Sequence, residues 1–259
     1  MHASSPYLTL DVKTLTDEEA DRLVELLFPV HQRIFDGTDP PLFKQQVLRN
    51  RAEHSRLQVR FNRLGQVIGY CAVHFFPIDY ADRPASVMRA QAGFLPEYRR
   101  GNRTAPFMLR TLLAYRLRHP WRRMYFFATL VHPSSYLVFD KYARKLWPRP
   151  SHHLSSDGWH FLQRCLAHFG HPAPPEAAPQ VVPVGWRTLD REDDHAFWQA
   201  SDHPSVRFFL RHNPGYGDGQ GLVTLAPVSL ANLFSAVGRL LGNRLRKRWR
   251  DGRIKTQCV

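Results

Sequence analysis

Leu95-Pro96-Glu97-Tyr98-Arg99-Arg100-Gly101-Asn102-Arg103-Thr104 is the stretch on which the reading of this chain turns. An extended run, residues 86–94, precedes it, and residues 105–118 follow with the spacing of an amphipathic helix. A turn that feeds a helix N-terminus exposes backbone N–H groups with no intrahelical partner, and the helix dipole adds positive charge there. Both attract phosphate oxygens. Arg99, Arg100 and Arg103 bring three guanidinium groups, which pair well with phosphates, and Gly101 lets a ligand come close to the backbone. Taken alone, a glycine flanked by arginines describes an exposed turn equally well.

The residues beyond the turn supply the context. Arg123-Met124-Tyr125-Phe126-Phe127-Ala128-Thr129-Leu130-Val131 reads as a second apolar strand. His132-Pro133-Ser134-Ser135-Tyr136-Leu137-Val138-Phe139-Asp140-Lys141-Tyr142-Ala143 then opens another helix. In order and spacing this segment resembles the GNAT superfamily of acyl-CoA N-acyltransferases. Their pyrophosphate loop reads Gln/Arg-x-x-Gly-x-Gly/Ala after the fourth strand, and a later helix reads roughly Asn-x-x-Ala-x-x-Leu-Tyr-x-Lys-x-Gly-Phe. Here Tyr98 stands at the Gln/Arg position, Gly101 at the first glycine and Arg103 at the second. In the later helix His132 stands at the Asn, Ser135 at the Ala, Val138 and Phe139 at the Leu-Tyr, Lys141 at the Lys and Ala143 at the Gly. The resemblance covers residues 55–147, and the family's general-acid tyrosine is replaced by Phe139.

The resemblance implies an α/β fold whose mixed, mostly antiparallel sheet splays between its fourth and fifth strands and is flanked by helices. It implies direct transfer of an acyl group from a CoA thioester, acetyl or longer, to an amine. A base takes the amine's proton, backbone N–H groups steady the oxyanion, and an acid protonates the departing thiolate. By the same resemblance Phe94 and Leu95 meet the pantetheine arm. Arg99, Arg100, Gly101, Asn102, Arg103 and Thr104 hold the pyrophosphate, and Ser135 and Phe139 lie near the thiol end. The acid and base are open. Tyr136 and Tyr142 flank Phe139 at three residues on either side, and Tyr142 falls about one helical turn on. His132 is either a base or a cap for the helix behind it. Arg89 and Gln91 lie where the family often carries a glutamate base, and neither is a base at neutral pH. His74 either faces the cleft or packs in the core. With acid and base unassigned, a catalytically degenerate binding module stands as the non-enzyme alternative.

Composition narrows the partners. The chain has 259 residues, 43% of them hydrophobic and 12% aromatic, enough for one large domain with an extension. Lys and Arg number 36 against 22 Asp and Glu, a net charge of +14. That excess suits anionic partners: an acidic acyl carrier protein as donor, an anionic membrane surface or, as a tRNA-associated acetyltransferase, nucleic acid. It disfavours polycationic acceptors. Cys71, Cys165 and Cys258 have neither paired nor metal-ligand spacing, which points to a reducing cytoplasm and no metal. Neither a secretory signal nor an apolar run of membrane-spanning length is legible. With 14 histidines about one His-x4-Asp match is expected by chance, so the three present, beginning at His31, His74 and His152, are not exclusive and carry little information.

Along the chain, residues 7–13 read as a strand. Thr16 with three acids behind it starts a helix whose stripe is Leu23, Leu26, Leu27, Val30 and Ile34. Residues 42–49 read as a short helix, 56–76 as a hairpin around Asn62-Arg63-Leu64-Gly65, and 156–169 as another helix. The proline-rich residues 171–180 suggest a linker that divides an acyltransferase domain, 1–170, from a C-terminal extension, 181–259. In the extension, 181–186 and 222–225 read as strands, 191–200 as a helix, and 213–221 as a glycine-rich loop. Residues 229–250 have the apolar spacing and arginine-rich end of a basic amphipathic helix. Such a helix lies on an anionic membrane, docks an acidic protein or covers the domain's own core. The first of these would place the protein at the inner face of the membrane.

Overall fold

The computed structural model describes residues 6–81, 83–98, 104–150, 152–172, 179–189 and 192–229, together with 232, 237–239 and 242. Residues 99–103, the centre of the arginine turn, lie outside the described residues, as does nearly all of the C-terminal basic segment.

The hairpin expected around Gly65 is present. β3 (His54–Phe61) pairs antiparallel with β4 (Val67–Pro77), and Gly65 turns between them at φ 76°, a conformation glycine adopts without strain. β1 (Tyr7–Asp11) adds to the outer edge of β3, and β5 (Ala85–Phe94) runs antiparallel to β4 on the other side. The chain then passes through α3 (Ala105–Arg118) to β6 (Arg123–Leu130), which lies parallel to β5. The expected bounds of α3 coincide with those observed. Tyr115 fixes that helix to the sheet: its ring stacks on Phe75 at 4.0 Å, and its hydroxyl donates to Glu53 at 2.9 Å.

The sheet does not end with β6. β9 (Gln220–Pro227) pairs antiparallel with β6 along most of its length, and β7 (Val181–Pro183) pairs with the outer edge of β9. Among the described residues the order is β1-β3-β4-β5-β6-β9-β7, seven strands of which β5 and β6, fourth and fifth in that order, are the parallel pair. Residues on both sides of the proline-rich 171–180 therefore build one sheet. The strand expected at 222–225 is longer than its apolar signal because its ends pair with β6 and β7.

Alternation of side chains sorts the layers. Tyr70, Ala72, Phe76, Val87, Phe127, Val223 and Leu225 face one side. There they meet α1 (Asp17–Gln32), the π-helical residues Lys44–Leu48 and α5 (Ser156–His168). Cys71, Val73, Phe75, Met88, Met124, Ala128 and Leu130 face the other. That side is covered by α3, α4 (Pro133–Tyr142) and α7 (Pro204–His212), the last unforeseen in the sequence. α1 begins with the expected capping box, Thr16 with Glu19. Its buried face holds Leu23, Leu27, Val30 and the following Ile34, whereas Leu26 is 44% exposed. The short helix expected at 42–49 splits into α2 (Pro40–Phe43) and the π turn that follows. β2 (Phe35–Asp36) and β8 (Arg187–Thr188) form a separate two-stranded ribbon. α6 (Glu192–Gln199) lies within the span expected for it. Among the described residues no helix is long and apolar enough to cross a membrane.

Candidate active-site cleft

β5 and β6 are hydrogen-bonded only from Ala85 with Arg123 to Met88 with Phe126. Both strands continue, β5 to Phe94 and β6 to Leu130, without pairing to each other. Each is held on its far side, by β4 and by β9, so the gap is built into the sheet. Backbone N–H and C=O groups that face such a gap are left for a ligand to satisfy. A cleft of about 880 Å³ occupies the opening.

One wall of the cleft belongs to the α3–α4 side. Thr104 and Ala105 at the start of α3, then Met108 and Leu112, line it, with Ala90 from β5 and Phe126, Ala128 and Leu130 from β6. Ser135, Val138, Phe139 and Tyr142 of α4 complete it. Phe139 packs on Phe126 at 4.6 Å between ring centres. Apart from Thr104, Ser135 and the Tyr142 hydroxyl, these side chains are apolar.

The opposite wall is different. Arg49, Asn50 and Arg51 line it from the end of the π turn, His168, Phe169 and His171 from the end of α5, and Phe35 and Trp186 from the ribbon. His74, Arg89, Gln91 and Thr129 reach into it from the sheet. No aspartate or glutamate is among the described residues that line the cleft.

Two groups on this wall have unusual surroundings. His74 is buried, and its Nδ1 accepts from the Asn50 amide at 3.0 Å and lies 2.9 Å from the Ser55 hydroxyl. Its Nε2 lies 3.3 Å from Gln91 Oε1, which only accepts, so the proton sits on Nε2. Burial pushes its pKa down to about 3, and the ring is neutral. Arg89 is the first β5 residue beyond the last rung shared with β6. Its guanidinium stacks over Phe169 at 4.3 Å and Phe127 at 5.5 Å. Among the described residues its hydrogen-bond partner is the Thr129 hydroxyl, at a long 3.5 Å, and no carboxylate pairs with it. Burial lowers its pKa to about 10, which leaves it charged at neutral pH. His168 and His171 are both held below the ordinary histidine pKa, first by desolvation. Arg51 and then Arg89 add to the effect at His168, and Arg89 at His171.

The residues singled out from sequence divide between the cleft and the core. Thr104, Ser135, Phe139 and Tyr142 are brought together along the apolar wall. Arg99, Arg100, Gly101, Asn102 and Arg103 lie outside the described residues. Phe94 and Leu95 are not among the described lining residues. Leu95 is buried against Val30 and Ile34 instead, and the stretch of β5 that lines the cleft is Met88 to Ala92. His132 caps α4: its Nδ1 accepts from the Ser134 N–H at 3.2 Å and lies 2.6 Å from the Ser134 hydroxyl. Its ring meets Trp198 and Tyr216 edge-on. Tyr136 is buried, stacks on Phe208, and donates its hydroxyl to the Pro148 carbonyl at 2.7 Å, with its pKa raised by burial. Neither His132 nor Tyr136 is among the described lining residues. His168, His171, Arg49 and Arg51 were missed from sequence. Their only local signal is histidine at the end of a helix or arginine after one, and nothing local says that the two ends converge.

No family model and no curated protein matches the chain in sequence. Solved structures match its fold outline. NAA60 of Arabidopsis thaliana in complex with acetyl-CoA is 13% identical over 52% of this chain and 82% of that one, with a TM-score of 0.34. A ribosomal-protein-alanine N-acetyltransferase from Brucella melitensis biovar Abortus 2308 is 14% identical over 59% of this chain and 99% of its own, with a TM-score of 0.37. An aminoglycoside 6'-N-acetyltransferase from Acinetobacter baumannii is 13% identical over 58% and 99%, also with a TM-score of 0.37. At this level the likeness carries no weight for chemistry. The chain's own strand order, its parting parallel pair and its helices on both faces give it the GNAT-like fold.

Proposed function

We propose that the chain is an N-acyltransferase that moves an acyl group from a CoA thioester to an amine across the β5–β6 gap. The observation that carries this reading is the parting of two parallel strands after Met88 and Phe126, with walls of opposite character on either side. A volume of about 880 Å³ is within the range of pockets that enclose a small ligand. The donor lies along the apolar wall, with its pyrophosphate at the start of α3 and residues 99–104, and its pantetheine arm against the free edges of the strands. The acceptor enters from the Arg49–His171 wall.

In this reading the neutral amine attacks the thioester carbonyl, the C–N bond forms, and the electron pair of the C=O moves to oxygen. Collapse of that intermediate breaks the C–S bond and releases the CoA thiolate. A neutral imidazole takes the amine proton, and His171, half-buried in the cleft, is the residue to which we give that role. Its lowered pKa keeps it in the proton-accepting form at neutral pH. Tyr142 protonates the departing thiolate, a role supported by its place beside Phe139 on the donor wall. A longer acyl chain, or a donor presented by an acidic carrier protein, extends the same reading and draws its support from the charge of +14.

Native mass spectrometry of the purified chain with acetyl-CoA and palmitoyl-CoA tests the donor. One molecule of acyl-CoA bound per chain is expected, with the better ligand fixing acyl length. A chain that binds neither sinks the CoA reading and leaves the carrier-protein donor or a binding module.

A further inference from the structure

Arg89 is half-buried inside the cleft, charged, and paired with no carboxylate among the described residues. A guanidinium has five N–H donors, and here one long contact to Thr129 uses one of them. Removing a charge from water without a counter-ion is costly, and proteins hold such a group where a ligand supplies the missing partner. The surroundings repeat the sign. Arg51 and Arg49 line the same wall, Arg49 being engaged with Asp17 at 2.9 Å, and no acidic residue is among the described lining residues.

The alternation of β5 says from which side the anion comes. Val87 packs on the α5 side and Met88 on the α3 side, so Arg89 points back toward α5 and away from the donor wall. An anionic group on the acyl donor would lie along α3 and α4. One on the acceptor meets Arg89 directly. The guanidinium lies over Phe169 at 4.3 Å and 5.5 Å from Phe127, two rings that stack on each other at 5.3 Å. Aromatic carbon thus meets its face, while its N–H donors lie in its plane, where it takes a planar carboxylate through two parallel hydrogen bonds. We infer that the acceptor is an amine that also carries a carboxylate, an amino acid, and that Arg89 binds that carboxylate. This inference rests on the acyl-transfer reading above, and it names the substrate class for that site.

The test uses the full chain saturated with CoA. Pools of N-acetyl amino acids, the expected products, and their uncharged amides are screened by ligand-observed NMR, and the best pair is measured by calorimetry. The acid is expected to bind at least about 30-fold more tightly than its amide, because truncating one partner of a desolvated charge pair costs a few kcal/mol. Arg89→Gln should weaken the acid by that same factor, about 30-fold or more, to the level of the amide, and Arg89→Lys should restore part of the loss. Acetyl-CoA affinity should stay within about twofold in both, which also shows that they fold. Phe169→Leu, which keeps the charge and removes the stack, should weaken the acid about fivefold. Equal binding of acid and amide, or an acid affinity indifferent to Arg89→Gln, overturns the inference while leaving acyl transfer intact. Arg89-dependent binding of the acid without acetylation of the matching amino acid supports the carboxylate site and overturns the transfer reading.

Discussion

The two walls of the cleft are made from the same sheet and differ almost completely in chemistry. The wall under α3 and α4 is built of Ala90, Met108, Leu112, Ala128 and Phe139 and suits a long, flexible, largely apolar arm. The wall under α5 presents Arg49, Arg51, Arg89, His74, His168 and His171. Neighbouring β5 residues serve both, because Arg89 and Ala90 point to opposite faces. In the proposed reaction, the division teaches how one gap in a sheet would keep two substrates apart: apolar area would hold the first, and fixed charge would select the second.

Each expected result below separates the walls or merges them. Arg99→Ala combined with Arg103→Ala should weaken acyl-CoA about 1000-fold, because two guanidinium–phosphate pairs are removed, and leave carboxylate binding unchanged by calorimetry. Loss of both affinities together would mean that the walls are one site. His171→Gln should lower kcat about 100-fold with little change in KM for either substrate, the span of general-base assistance. With the pKa of His171 held below the ordinary histidine value, kcat/KM in the intact protein should rise with pH along one limb that lies below pH ~6.5, separate from a further rise at higher pH as the acceptor amine loses its own proton. Burial is the larger cause of the low His171 pKa and Arg89 adds to it, so Arg89→Gln should move the limb part of the way to higher pH. A limb that stays in place would detach His171 from the reaction. Ala90→Leu, which projects into the donor wall, should raise Kd for acyl-CoA about tenfold and spare the carboxylate site.

The smallest effect concerns stability. His74 and His31 are buried with pKa values lowered to about 3 and about 4, by burial in each case. A depressed histidine contributes its stability fully above the unfolded value near 6.5, and the contribution is lost as pH falls toward the folded value. Urea unfolding should show stability falling by up to about 1.4 kcal/mol per pH unit for each histidine between pH ~6.5 and ~4. His74→Gln should reduce that slope, and an unchanged slope would show that His74 is not the group that titrates.

Much of the fold was legible because its signals are local. The capping box at Thr16, the glycine turn at Gly65 and the periodicity of residues 105–118 each act within a few residues, and the structure realises all three. The longer errors have tertiary causes. The proline-rich residues 171–180 read as a boundary, yet β9 beyond them is an inner strand of the sheet, because pairing partners almost 100 residues apart leave no trace in local composition. α7 was missed since its buried Val206 and Phe209 lie among arginines and histidines whose pattern gives no sign of what it packs against.

The site divides along the same line. From the sequence by itself came the order strand, basic turn, helix, strand, helix, and with it Thr104, Ser135, Phe139 and Tyr142, which line the apolar wall of the cleft. Those positions are set by one contiguous stretch, where helix and strand periods decide which side chains share a face. Only the tertiary structure decided that His132 caps a helix and Tyr136 anchors a loop. It alone gathered Arg49, Arg51, Arg89, His168 and His171 on one wall. A local pattern states which way a side chain points on its own element, whereas burial and charge pairing depend on what other elements bring opposite it.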